Sequence, residues 1–188
     1  MATTSSKGNS RGEIRAAILV GDAARALELL STNFPRVLTQ DLELDPAGGI
    51  RLKLQLRIFV ESLLTMRNIS QPRGKGKRKK DENEAMEDLE MDDHSSSSSS
   101  SSALDDLLQL GRTIDAENAA DQRPAVKEAL SLTFSLLAYD SPEDRGLGGK
   151  IGYLLSEQAR VDLADEVNSA ILSQFFTSRL SFIQTDEE

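Results

Sequence analysis

The chain has 188 residues with 22 Lys or Arg against 31 Asp or Glu, a formal net charge of -9, and only 4% aromatic residues. It has no cysteine and a single histidine, His94. Disulfide frameworks, cysteine-based zinc or iron–sulfur sites and thiol nucleophiles are thereby excluded, and any histidine-dependent triad would rest on one residue in an acidic, serine-rich tract.

In chain order, residues 1–11 are polar and read as a disordered N-terminus. Helical spacing begins at residue 12. Ile14, Ala17 and Ile18 form one short apolar stretch and Ala24 to Leu30 another, parted at Gly21-Asp22, where glycine ends one helix and aspartate caps the next. After the turn from Pro46 to Gly49, Leu52, Leu56, Phe59, Val60 and Leu63 recur at helical intervals. Leu54 and Ile58 widen that stripe, so the helix is expected to pack on two sides. These residues make up a first unit, 12–69.

Residues 70–102 start with Ser70, Pro72, Gly74 and Gly76, pass through a basic and then an acidic run, and end in serines 95–102. So little apolar surface does not offset the entropy of ordering, and the segment reads as a disordered linker. A second unit, 103–183, resumes the helical pattern with Leu104, Leu107, Leu108 and Ile114. Val126, Leu130, Thr133, Phe134 and Leu137 line a helix starting at about Pro124. Ser141 is a candidate cap ahead of Pro142, and Gly146 to Gly152 form a loop. Ser156 is placed to cap a last helix carrying Leu163, Val167, Ala170, Ile171 and Phe175. An acidic tail, 184–188, closes the chain. Strand-like alternation is absent at any length, so the fold class is all-α with a long insertion.

Charge separates the units. The first 69 residues carry 9 basic and 7 acidic groups and the last 86 carry 7 and 16, which favours packing one unit on the other. No apolar run approaches the roughly 18 residues of a membrane span, and Met1 to Gly12 lacks a signal-peptide core. A soluble chain of cytoplasm and nucleus is expected.

Sites of chemistry are few. Gly74-Lys-Gly-Lys77 and the glycines before Lys150 miss the phosphate-loop spacing and follow no apolar strand. The paired carboxylates, such as Asp105-Asp106 and Asp165-Glu166, sit at helix starts or on polar faces, where solvation accounts for them. No catalytic residue, cofactor site or metal site is assigned. Arg73, Lys75, Lys77, Arg78, Lys79 and Lys80 make a clustered basic run. Lys77 to Lys80 is a nuclear-import candidate, with an import receptor as its partner. Nucleic-acid binding is the lesser alternative, because no aromatics interleave the run and eight acids follow it. Ser102, with Asp105 three residues on, is a phosphorylation candidate.

The amphipathic helices carry the remaining signal. A second apolar face implies a partner helix. Leu54 and Ile58 offer one such face, and the terminal cluster Phe175, Phe176, Leu180, Phe182 and Ile183 the stronger one.

Two stretches carry a family resemblance. Glu13 to Leu30 with Phe34-Pro35, followed by Leu52 to Leu63, resembles a CTLH motif: a short helix, a "GD" turn, a second helix, an "FP" break and a long helix. Leu110-Gly111-Arg112, Phe134 to Tyr139 with Ser141 to Asp144, and Leu155 to Leu172 resemble a CRA motif. A polar tract between the motifs is similar to the Ran-binding protein M type of CTLH/CRA protein. The SPRY and LisH segments of that type are not among these 188 residues, so roles tied to them are not carried over. The resemblance implies a non-catalytic scaffold subunit of a CTLH (glucose-induced-degradation) ubiquitin ligase, assembling with homologous subunits. A nuclear regulator acting through the basic run, and a shortened relative competing with a full-length subunit, are the alternatives.

Overall fold

The computed structural model describes residues 3–40, 48–70, 97–139 and 149–183, all of them helix, turn or short connection, with no strand among the described residues. Among these residues the α-helices run α1 (Thr3–Val20), α2 (Ala23–Asn33), α3 (Pro35–Gln40), α4 (Gly49–Ser70), α5 (Ser97–Asn118), α6 (Pro124–Ser135), α7 (Lys150–Leu155) and α8 (Glu157–Ile183). A 3-10 turn at Leu136–Ala138 extends α6. The all-α expectation holds.

The helix starts follow local chemistry. The Asp22 carboxylate accepts from the Arg25 backbone N–H at 3.0 Å and caps α2. Pro124 opens α6 at the first helical position, where its missing N–H costs nothing. Ser156 Oγ accepts from the Ala159 N–H at 3.3 Å and caps α8. The Ser141 cap lies outside the described residues.

Three boundaries differ from the sequence reading. Helix α1 starts at Thr3 rather than residue 12, α5 starts at Ser97 inside the serine tract, and α7 (Lys150–Leu155) begins within the last residues of the expected loop from Gly146 to Gly152. The first two are helices extended from an anchored part: once Ile14 and Leu107 are buried, each added residue gains a hydrogen bond without a new nucleation cost.

Two apolar clusters form the core, and α4 serves both. Ile50 and Leu54 face a cluster with Ile14, Ile18, Leu30 and Phe34 of the first unit and Leu163, Val167 and Ile171 of α8. Leu52, Leu56, Phe59, Val60 and Leu63, on the other side of α4, face Leu107, Ile114, Val126, Leu130 and Leu136. The expected two-sided packing of this helix is met within the chain. Helix α1 packs on α2 and α8, and α4 on α2 and α5. The charge asymmetry appears as ion pairs between the units: Arg15–Asp165 at 2.8 Å, Arg51–Glu117 at 3.3 Å, and Lys53 against Glu166.

Candidate interaction surface

Helix α4 does more than present apolar side chains. Arg57 is 5% exposed, and its Nε donates to Glu61 Oε1 at 2.6 Å, one turn along the same helix. Its Nη1 donates to the carbonyl of Leu154 at 2.8 Å, satisfying a backbone acceptor at the end of α7. Arg67 does the same for the 3-10 turn, donating to the carbonyls of Leu136 (2.7 Å) and Tyr139. Two arginines of the first unit thus cap two helices of the second.

Glu61 closes the network. Arg160, in the first turn of α8, reaches it with two parallel bonds, Nε to Oε1 at 2.8 Å and Nη2 to Oε2 at 2.7 Å. Burial pushes the Glu61 carboxyl up, but the bonds from Arg160 and the charge and bond of Arg57 outweigh it and hold the group below the ordinary carboxylate range. Burial draws Arg57 down against the opposing pull of Glu61, while the Glu61 hydrogen bond raises Arg160. The Gly21 turn is pressed against this pair. Its φ is +88°, and a Cβ there would stand 3.1 Å from Glu61 Oε2 and 3.2 Å from Arg160 Nη2. The turn that the sequence marks as "GD" is therefore glycine for two reasons, backbone conformation and space.

Beside Glu61 lies an open groove of about 490 Å3, floored by Ile58, Ser62 and Thr65 of α4. One wall is the α1–α2 turn, from Gly21 to Ala24. The other is α5, with Ala103, Asp106, Leu107 and Leu110. Val20 (76% exposed) and Leu104 (41%) adjoin the two walls in sequence. A narrower apolar slot of about 290 Å3 lies between α4, α6, α7 and α8. Its lining includes Tyr153, whose hydroxyl donates to Asp162 at 2.6 Å. That bond, with burial, raises the phenol to about 12. On the far side of α5, Gly111 lets the Phe59 and Phe134 rings, 5.2 Å apart edge to face, come close, since a Cβ would lie 3.2 Å from Phe59 Cε2.

The residues expected to meet a partner fall into three groups. Leu54 is 0% exposed inside the first cluster, so it does not form an outward face; the expectation is corrected because α2 and α8 already cover that side of α4. Ile58, one turn on, stays half-buried and opens into the groove. Phe175 is 40% exposed, its ring 6.0 Å from Phe34 at 80°. Phe176, Leu180, Phe182 and Ile183 belong to the backbone of α8, but their side chains lie outside the described residues. So do Lys77, Arg78, Lys79, Lys80 and His94. Ser102 is exposed on α5.

Sequence reasoning missed the Arg57–Glu61–Arg160 network. Its one signal was an Arg/Glu pair four residues apart within an otherwise apolar stretch of α4, which a periodicity search treats as a solvated edge. Among the described residues no group of His, Asp and Glu side chains is arranged to hold a metal ion, and no helix is long and apolar enough to cross a membrane.

No curated protein and no solved structure matches the chain. The family model of the CTLH/CRA C-terminal to LisH motif domain, a protein-interaction domain, matches residues 7–181, which takes in both units and the segment between them. The chain therefore belongs to the CTLH/CRA C-terminal to LisH motif family.

Proposed function

We propose that this protein is a non-catalytic assembly subunit of a CTLH-type ubiquitin ligase, joined to homologous CTLH/CRA subunits through helix faces. The observation that carries the reading is the groove over α4, an open surface that mixes the apolar Ile58, Met66 and Leu110 with polar side chains, in a domain whose family role is protein interaction. Phe175 adds support, since a ring 40% exposed on α8 adjoins the apolar residues that follow it in sequence. Association would bury these side chains within a polar rim, and the chain would supply geometry rather than chemistry. Residence in cytoplasm and nucleus, with Lys77 to Lys80 recognised for import, belongs to the same proposal.

The test is affinity purification of the tagged chain at native expression level with mass spectrometry, beside Ile58→Asp and Phe175→Asp variants. Recovery of RING-bearing and CTLH/CRA subunits with the wild type, and their loss with either variant, is the expected result. Recovery of no such subunit by the wild type overturns the ligase assignment.

A further inference from the structure

The groove over α4 has a chemical bias. Its lining includes three carboxylates, Asp22, Glu61 and Asp106, and no Lys, Arg or His. Glu61 is engaged by two arginines, and Asp22 is exposed with one oxygen capping α2. Asp106 is exposed and has no ion pair among the described residues. Gly21, Ala23, Ala24 and Ala103 keep the walls low, so a backbone can come close. The floor repeats at Ile58, Ser62 and Thr65, the spacing of one helix face, which an opposing helix matches. A carboxylate stands on each wall, Asp22 on one and Asp106 on the other.

We infer that this groove receives a basic amphipathic helix of a partner protein, its apolar face against Ile58 and Leu110, with Lys or Arg side chains reaching Asp22 and Asp106 on the two rims. The inference rests on reading the groove as the partner-binding surface, and adds the charge and shape of what binds there. An acidic helix would leave both rim carboxylates facing like charge, so the site discriminates by repulsion as well as attraction.

A fluorescent leucine–lysine amphipathic peptide about five turns long serves as probe, titrated into the full chain by anisotropy, beside a leucine–glutamate peptide of the same apolar pattern. Ser62→Arg, which fills the floor and places a positive charge there, and Asp106→Lys are each expected to weaken the lysine peptide by about tenfold. Asp115→Lys is the charge control. It is exposed and lies nine residues further along α5, on the opposite side of the helix, and is expected to change affinity by less than about twofold. Circular dichroism shows that each variant is folded.

Equal losses in Asp106→Lys and Asp115→Lys mean attraction by net charge alone and overturn the site. Undiminished binding in Ser62→Arg, or equal binding of the glutamate peptide, also overturns it. Binding that appears only after deletion of residues 71–96 makes the chain's own basic run the occupant, and the partner helix falls. Each of these failures leaves the subunit assignment standing if purification still recovers CTLH/CRA proteins, so the two readings fail separately.

Discussion

The two apolar clusters are built from different parts of the chain. The second draws on α4 and on α5 to α7, so its residues span the break between the two sequence units once, at α4. The first joins α1 to α4 with α8, bringing Ile14 and Ile18 against Leu163, Val167 and Ile171 from the far end of the chain. The sequence units are therefore not the packing units. Helix α4 is the shared wall, and Arg57, Glu61 and Arg160 form a seam beside it that ties α4 to α7 and α8. A chain wired this way should lose both clusters together.

The strongest way to break that coupling is at Glu61. Glu61→Gln leaves Arg57, 5% exposed, without its carboxylate, and removing one partner of a buried pair costs about 3–5 kcal/mol. A single thermal transition displaced to lower temperature is expected. The same group sets an acid limit. Its folded pKa is lowered, so its contribution is complete above the unfolded carboxylate value of about 4.3 and is lost as pH falls through the lower folded value. Wild-type stability should fall across that window, and Glu61→Gln should be flatter there. Urea unfolding at a series of acid pH values measures both.

Cavity variants ask whether the clusters are one unit. Phe59 and Leu30 are both fully buried, the first in the second cluster and the second in the first. Phe59→Ala should cost about 3–5 kcal/mol and Leu30→Ala about 2–5 kcal/mol, each lowering one shared midpoint. Two separated transitions in either variant would show that α4 is a boundary rather than a shared wall.

Much of this arrangement was legible in the sequence. The caps at Asp22 and Ser156, the start at Pro124 and the two apolar faces of α4 follow from short-range rules, because capping and periodicity act within a few residues. What covers a face is a long-range fact. Leu54 and Ile58 are equivalent by spacing, yet α2 and α8 bury one and leave the other at a groove. The arginines at 57 and 67 were illegible for the same reason, since the carbonyls they cap belong to helices about 70–100 positions further on.

Smaller changes at the α1–α2 turn sharpen the seam. Gly21→Ala must place a Cβ at φ +88° against Glu61 and Arg160, a strain of about 1–3 kcal/mol. Asp22→Ala removes only the α2 cap, worth about 1 kcal/mol. If Gly21→Ala acts through the ion pair, its cost should shrink in a Glu61→Gln background, while that of Asp22→Ala should not. A double-mutant cycle in urea reads the difference.

The smallest effect concerns an outer seam. Tyr153 of α7 bonds Asp162 of α8, so it joins the same two helices as the Arg57–Glu61–Arg160 network, but at the surface, where Tyr153 is 45% exposed. Solvent screens such a bond, and Tyr153→Phe should cost less than about 1 kcal/mol near neutral pH. Its pH dependence is nevertheless distinct. The folded phenol is raised to about 12, so its contribution is complete below the ordinary value of about 10 and is lost as pH rises toward about 12. The wild type should therefore lose slightly more stability than Tyr153→Phe between about pH 10 and about pH 12. The inner carboxylate weakens in acid and the outer phenol in alkali, so opposite pH slopes assign each loss to its own seam. A Tyr153→Phe variant that keeps the full alkaline slope would remove the outer seam from this account.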